Sequence, residues 1–247
     1  MTEDPQIKSL GDCALTVEFG DAIAPAINAR VMALAAVLSA EIAAGRLPGV
    51  IETVPSFRAL AVHFDPRRIS RRDLLARLVP VIARAGAESR EGRLWVLPAC
   101  YEDDAFAPDL AGVADAAGIS PQQVITLHTG ATYRVYILGF VPGFAYLGGV
   151  PEILRLPRRT SPRTAVPAGS VAIAGEMSAV YPLESPGGWH LIGRCPVPLF
   201  DPAADPPVFL APGDRVRFRA IDAEAYAETF AASRRPGFDP ATLCAEA

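Results

Sequence analysis

The sequence predicts a small α+β domain over residues 1–90 and a mainly β domain over residues 91–235, followed by a tail at 236–247. Three observations support this division. Strand and helix patterns alternate twice before residue 90, strand character restarts just after EGRLW, and thirteen of the 24 prolines then lie between Gly139 and Gly213. Short strands separated by proline and glycine are typical of a β-barrel or a β-sandwich, and both remain open.

The first ninety residues show a strand–strand–helix pattern twice. Two short strands flank a Gly-Asp turn in KSLGDCALTVEFG, and two more are expected in VIETVPS and ALAVHFD. Between the two pairs, PAINARVMALAAVLSAEIAAG repeats apolar residues every three or four positions, which predicts an amphipathic helix. A second helix is expected in RRDLLARLVPVIARAG, with Ser70 as its N-cap. One sheet with helices on one face would bury both apolar stripes.

The second domain is expected to begin with the strand RLWVLPACY and to continue with helices near 108–117 and 121–128. Ser120-Pro121 fits the start of the second helix, since proline is favoured at the first helical position. Further strands are predicted in TYRVYILGF, VAIAG, WHLIG and DRVRFRA, and a final helix in IDAEAYAETFAASR. We expect the last residues to form a loose tail.

The composition argues against several classes of protein. Of the 247 residues, 51% are hydrophobic and 20% charged, which suits a chain with a packed core. A net charge of -4 gives no indication of nucleic-acid binding. The four cysteines form no CxxC pair and lie far from the three histidines, so no metal site is expected. Without a signal-peptide core or an apolar run of 18 residues, we expect a cytoplasmic protein that does not contact a membrane.

Three loop segments carry the candidate chemistry: GFVPGFAYLGGVP at 139–151, LPRRTSPRTAVPAGSVAIAG at 156–175, and SPGGWHLIGRCP at 185–196. Proline fixes φ and glycine permits positive φ, so such loops follow a defined path. In the first loop, Phe140 and Phe144 either form a buried aromatic cluster or face a ligand, and the Tyr146 phenol is a candidate ligand contact.

Charged and titratable side chains in the other two loops leave alternatives open. Arg158, Arg159 and Arg163 form either a solvated basic loop or an anion site, because guanidinium groups bind carboxylate and phosphate through paired hydrogen bonds. His190 and Arg194 are either ordinary strand residues or an acid–base and anion-binding pair. His128 flanks the turn LHTGATY before the next strand. The chain has no GxSxG, Walker A or HExxH motif, so it does not resemble a self-sufficient ATPase or protease.

Taken together, these motifs resemble one protein family. The patterns H-x4-Y-x-V-x3-GF-x-PGF-x-YLGG, PR-x3-PR-x-x-VPAGSV-x-IAG and YP-x-x-SPGGWHLIGR are similar to those of the B subunit of bacterial 5-oxoprolinase. That family is also called allophanate hydrolase subunit 1 and includes the kinase inhibitor KipI. The resemblance implies a small α+β domain joined to a cyclophilin-like β-barrel.

The resemblance also implies a function. It points to one subunit, inactive alone, of a complex that opens 5-oxoproline to glutamate with ATP as co-substrate, together with a second barrel subunit and a third, hydrolase-like subunit. The candidate residues would line one pocket, with His190, His128 and Tyr146 as the catalytic groups and Arg158, Arg163 and Arg194 holding carboxylate or phosphate. The alternatives are an allophanate hydrolase or urea carboxylase type of subunit, and a binding module that inhibits a histidine kinase.

Overall fold

The computed structural model describes residues 4–84 and 92–245, and the chain divides into two compact units between residues 90 and 91. The first unit is an antiparallel four-stranded sheet, in the order β1-β2-β4-β3, with two helices. Its elements are β1 (Gln6–Ser9), β2 (Ala14–Glu18), α1 (Pro25–Ala43), β3 (Val50–Pro55), β4 (Ala59–Phe64) and α2 (Arg71–Arg84). Every strand and helix predicted for this unit is present.

Both helices of the first unit begin and pack as the sequence predicts. Pro25 occupies the first turn of α1, and the Ser70 hydroxyl accepts a hydrogen bond from the Asp73 amide to cap α2. By length and composition alone α1 could cross a membrane. In the structure its apolar stripe is instead part of the core, where Val31, Leu34 and Leu38 are fully buried in one cluster with the sheet residues Leu60 and Val62.

The second unit is built around a closed barrel of seven strands in the order β10-β7-β6-β13-β5-β12-β9. Strands β5 and β13 pair in parallel over seven residues, whereas the other barrel pairs are antiparallel. The fold class is therefore confirmed, and the choice between barrel and sandwich is settled. The elements are β5 (Leu94–Cys100), α3 (Leu110–Ala117), α4 (Pro121–Gly130), β6 (Tyr133–Leu138), β7 (Ala145–Gly148), β8 (Arg163–Val166), β9 (Ser170–Ala174), β10 (Met177–Val180), β11 (Ser185–Gly187), β12 (His190–Arg194), β13 (Arg215–Ile221) and α5 (Ala223–Ala232).

Strands β8 and β11 form a separate two-stranded ribbon. Each comes directly before a barrel strand in the sequence, β8 before β9 and β11 before β12. The ribbon therefore carries the second and third candidate loops and ties them to each other before the chain enters the barrel.

A buried carboxylate joins the start of β5 to the start of β13. Asp214 is 6% exposed and accepts hydrogen bonds from the Trp95 indole at 2.8 Å and from the amides of Arg93 and Ala211. Three donors satisfy the carboxylate, which offsets the cost of burying its charge. The contact fixes the register at which β5 and β13 lie side by side.

The predicted loose tail is wrong for the part of it that the structure describes. Phe238, Leu243 and Cys244 pack against the core of the second unit. Cys244 forms a β-bridge with Trp95, and the Ala245 amide donates to the carbonyl oxygen of Leu94 at 2.8 Å. No local pattern indicates this segment, because three apolar side chains spread over seven residues show no helical or strand period.

His128, on α4, belongs to this core. Its side chain is completely buried and stacks on Phe218, with ring centroids 4.6 Å apart. Its Nδ1 lies 2.9 Å from the Tyr101 hydroxyl and its Nε2 lies 3.3 Å from the Ser178 hydroxyl, so both ring nitrogens have polar neighbours. Burial lowers the pKa of His128 to about 3, which leaves the ring neutral near pH 7.

We therefore expect His128 to make the second unit sensitive to acid. Its folded-state pKa lies below the unfolded value of about 6.5, so the unfolded chain binds the extra proton, and stability falls as the pH drops from about 6.5 towards 3. At pH 4.5 the loss should be on the order of 2–3 kcal/mol. The free energy of unfolding, followed by tryptophan fluorescence, reports this unit because Trp95 and Trp189 both belong to it.

The His128→Gln variant is the matching test. It should be less stable than the wild type at pH 7, but it should lose less stability between pH 7 and pH 4.5. Parallel curves for variant and wild type over this range would contradict the assignment.

Candidate functional site

The three candidate loops meet at one cavity of about 270 Å³, which we call the aromatic cavity. The first loop contributes two phenylalanines and a tyrosine, the second an arginine, and the third a Gly-Gly turn and a tryptophan. The lining residues are Phe140, Phe144, Tyr146, Arg158, Pro162, Tyr181, Pro186, Gly187, Gly188 and Trp189.

Phe144 is the hub of this cavity. It is 2% exposed, and its ring lies edge-on to those of Tyr146, Tyr181 and Trp189, at centroid distances of 4.9, 5.2 and 5.8 Å. Such edge-to-face contacts fix the ring orientations as well as burying area. The alternative left open by the sequence is resolved for Phe144, which is a buried packing residue.

Phe140 behaves differently. Its side chain is 59% exposed, and its backbone has a φ of 74°, the one positive φ outside glycine among the described residues. A large residue in this region is strained, and such strain is concentrated at functional sites. The ring contacts Phe144 at a centroid distance of 5.4 Å, so Phe140 lies against the hub while remaining accessible to a ligand.

The Gly187-Gly188 turn gives the aromatic rings their close approach. The Tyr181 ring lies directly against Gly187, where a Cβ would collide with the Tyr181 hydroxyl. Trp189, the next residue after the turn, is 5% exposed and lies 6.0 Å from Tyr146 between ring centroids. Gly187 therefore permits a close ring contact that any residue with a side chain would push apart.

Arg158 supplies the positive charge of the cavity. Its guanidinium carbon lies 5.9 Å from the Trp189 ring centroid, the distance of a cation–π contact. Across residues 4–84 and 92–245, no acidic side chain forms an ion pair with Arg158. Burial raises the pKa of Tyr146 and of Tyr181 against the opposing effect of Arg158, so both phenols stay protonated near pH 7 and can donate hydrogen bonds.

The other two arginines of the loop are held by the chain's own carboxylate. Both oxygens of Asp109 accept from Arg163, at 2.8 and 2.9 Å, and Arg159 donates to one of them at 2.8 Å. The amide of Leu191 also donates to Asp109 at 2.7 Å. Burial alone would raise the pKa of the Asp109 carboxyl, but these hydrogen bonds and the two guanidinium charges outweigh it and hold the pKa below its usual range. We call this group the Asp109 clamp.

His190 lies beside a second, shallower cavity of about 460 Å³, the histidine cavity. Its lining residues are Ala116, Leu156, Pro157, Arg158, Arg159, Thr160, Ser161 and His190. The ring Nε2 is 2.9 Å from the carbonyl oxygen of Pro157. Since a carbonyl can only accept, Nε2 carries the hydrogen when the ring is neutral, and Nδ1 is left as the basic nitrogen.

The prediction that six residues line one cavity is therefore wrong. Tyr146 and Arg158 line the aromatic cavity, and His190 lies in the neighbouring histidine cavity, to which Arg158 also contributes. His128 is enclosed in the barrel core, and Arg163 binds Asp109 instead of facing either cavity. Arg194 also lines neither, and its guanidinium makes only long contacts to the carbonyl oxygens of Ala168 and Ala105, at 3.4 and 3.5 Å.

Sequence reasoning missed two residues of this region. Asp109 lies in FAPDLAG, some fifty positions before the arginines that it binds, and a single Asp before a helix is ordinarily an N-cap. Tyr181 lies in the quoted YP motif but received no role. The available signal for Tyr181 was its place in YPLESPGGW, six residues before Gly187. Nothing local could have indicated the partners of Asp109.

The chain is similar to a known family and to named proteins along most of its length. The family model described as "Carboxyltransferase domain, subdomain C and D" matches residues 5–210. The B subunit of 5-oxoprolinase from Bacillus subtilis (strain 168) is 41% identical over 242 residues, covering 92% of this chain and 97% of that protein. The protein of the same name from Escherichia coli O157:H7 is 41% identical over 209 residues, covering 85% and 93%.

Solved structures extend the comparison. The protein TTHA0988 matches with a TM-score of 0.73 and 40% identity, over 85% of this chain and 40% of that chain. The urea amidolyase of K. lactis matches with a TM-score of 0.73 and 23% identity, over 91% of this chain and 15% of its own, which shows a shared fold. With the family match over most of its length and two curated relatives at 41% identity, the chain belongs to the family of 5-oxoprolinase B subunits within the carboxyltransferase subdomain C and D group.

Proposed function

We propose that this chain is a cytoplasmic subunit of an ATP-dependent 5-oxoprolinase complex and that its aromatic cavity binds 5-oxoproline through Arg158. One observation carries the assignment of the cavity. The loop at 156–163 presents three arginines, and Asp109 binds two of them while Arg158 has no ion pair among the described residues and lies beside the rings. A small carboxylate on a compact lactam ring matches a cavity that offers one guanidinium, two phenols and several aromatic faces.

The proposed chemistry follows from the bond that must break. Opening 5-oxoproline adds water across the lactam C–N bond to give glutamate, while ATP becomes ADP and phosphate. Transfer of the γ-phosphoryl group of ATP to the lactam oxygen would release ADP and make the ring carbon electrophilic. Water then attacks that carbon, the C–N bond breaks, and a second water releases the phosphoryl group, whose oxygens carry negative charge throughout, as phosphate. Protonated phenols of Tyr146 and Tyr181 are donors of the kind that stabilise such charge.

Other tasks are assigned to His190 and to partner subunits. The departing ring nitrogen needs a proton, and His190, in the neighbouring cavity that Arg158 also lines, is the proposed proton-transfer group. With its Nε2 held by the Pro157 carbonyl, its Nδ1 would accept a proton from the attacking water and pass it to the departing nitrogen. Because the chain has no Walker A motif, we propose that ATP is bound and hydrolysed by the assembled complex and not by this chain alone. The curated relatives are named as subunits, which supports the proposal that this chain acts with partner subunits. We propose that the partners are a second barrel subunit and a hydrolase-like third subunit.

Reconstitution with the two proposed partner subunits tests the function directly. The complex should release glutamate only when ATP and 5-oxoproline are both present, and omission of this chain should abolish the release. If the complex releases ammonia from allophanate and no glutamate from 5-oxoproline, the chain belongs instead to the urea amidolyase type of chemistry.

Arg158→Ala should raise KM for 5-oxoproline by tenfold or more with a smaller change in kcat, because the guanidinium binds a carboxylate that does not react. Arg158→Lys should recover part of the loss, since it restores the charge without the paired donors. Arg219→Ala, which removes an exposed arginine from β13, is the control. An unchanged KM in Arg158→Ala would refute the placement of the substrate.

Asp109→Asn should disturb the aromatic cavity although Asp109 is not one of its lining residues. Loss of the buried charge leaves Arg163 and Arg159 without their anion, which should cost about 3 kcal/mol of folding free energy. It should also shift the indole NMR signal of Trp189, which lies two residues from Leu191, while the signal of Trp95 stays in place. Glu176→Gln, which breaks the exposed pair with Arg155, is the control and should cost less than about 1 kcal/mol. Equal effects of the two substitutions would exclude a positioning role for Asp109.

A further inference from the structure

A third cavity lies in the barrel unit, built by the loop at 198–209 and the segment at 233–240. We call it the C-terminal cavity. Its volume is about 560 Å³, within the range of sites that bind small organic molecules. It shares no lining residue with the aromatic or histidine cavity: its walls are Pro198, Leu199, Phe200, Asp201, Ala204, Pro206, Pro207, Phe209, Ser233, Arg234, Arg235, Pro236, Gly237, Phe238 and Pro240.

The walls are apolar and aromatic, yet not closed by packing. Phe200, Phe209 and Phe238 are each only partly buried, so their rings retain accessible faces around the cavity. Phe209 is fixed from behind by Trp95, with ring centroids 4.8 Å apart. Aromatic faces supported in this way favour a flat apolar ligand, because burial of both surfaces gains free energy and costs little side-chain entropy.

Both walls are held in place without a ligand. In the first, the Asp201 amide donates to the carbonyl oxygen of Pro207 at 2.9 Å, and the Asp201 carboxylate accepts from the Ala203 amide. In the second, the Arg234 guanidinium donates to the carbonyl oxygens of Pro196 and Phe230, at 2.9 and 3.1 Å. A preformed cavity binds more tightly than one that must be ordered by its ligand.

The charge at the rim is positive. The lining residues include two arginines, Arg234 and Arg235, and one carboxylate, that of Asp201. Arg234 is committed to the two carbonyl oxygens and stacks on Phe230, 3.3 Å from its ring centroid. Arg235 has neither an ion pair nor a side-chain hydrogen bond within the described parts of the chain, so its guanidinium can bind an incoming anion.

One of the two walls of this cavity lies outside the sequence matched by the family model. The family match ends at residue 210, so the loop at 198–209 lies inside it and the segment at 233–240 lies outside. The arginines of the rim thus come from the part of the chain that the family model does not describe.

From the volume, the aromatic walls and the unpaired Arg235, we propose that the C-terminal cavity is a binding site for a small organic anion that carries a flat apolar group. This site is independent of the proposed oxoprolinase function, since the two cavities have no residue in common.

Two probes with the same aromatic skeleton test the proposal on the full chain. 8-Anilinonaphthalene-1-sulfonate carries an anionic group, whereas N-phenyl-1-naphthylamine is its neutral counterpart, and both fluoresce when they enter an apolar site. We expect saturable binding of one equivalent of the sulfonate, with shifts of the Gly237 and Phe238 amide signals in NMR spectra.

Arg235→Glu should weaken binding of the sulfonate by tenfold or more and change binding of the neutral probe by less than twofold. Arg219→Glu makes the same charge change on an exposed part of β13 and should leave both affinities within twofold of the wild type. Ala204→Trp, in an exposed loop of the first wall, should block both probes by filling the cavity while the unfolding midpoint stays unchanged.

The proposal is overturned if Arg235→Glu and Arg219→Glu weaken sulfonate binding equally, or if Ala204→Trp leaves the affinities unaltered. It is also overturned if the probe shifts the Trp189 indole signal in place of Gly237 and Phe238, because the probe would then occupy the aromatic cavity. None of these outcomes depends on oxoprolinase activity, so failure of this proposal leaves the proposed function untouched.

Discussion

The carboxylate of Asp109 is the constraint on which the geometry of the candidate site depends. A carboxylate that is 8% exposed needs several donors to remain charged, and this one obtains them from one loop and one strand that are both far from it in sequence. Meeting that need fixes the loop at 156–163 against the start of β12. The positions of Arg158 and Trp189, which contact no part of Asp109, follow from it.

The same constraint divides three similar arginines between two roles. Sequence spacing treats Arg158, Arg159 and Arg163 alike, since all lie in one proline-bounded loop. Asp109 forms ion pairs with Arg159 and Arg163. The guanidinium of Arg158, which lies beside Trp189, is therefore the one that remains available to a ligand. A basic loop in a sequence is therefore a set of candidates, and the buried acid that faces it decides which candidate stays available.

Elements with a clear period were predictable from the sequence, whereas contacts between distant segments were not. The stripe of α1 and the alternation in β6 define a helix and a strand locally, and both are present. Closure of the barrel depends on the parallel pairing of β5 with β13, which has no local signal, so barrel and sandwich could not be told apart. The three loops of the site were likewise predictable from their motifs. The role of His128 was not, because its motif indicates a candidate catalyst and only the fold shows that it is buried beside Phe218.

The pairing of β5 with β13 also sets the order in which the protein can be assembled on the ribosome. The Asp214 contact joins residues 121 positions apart, and β5 has no barrel neighbour until β12 has been made. The first unit, whose described strands and helices all end by residue 84, can fold while the barrel is still being synthesised. Throughout that interval the nascent chain presents the apolar strand around Leu97 without a partner, an edge open to aggregation. Slow translation before residue 190 would therefore increase the demand of this chain for chaperones.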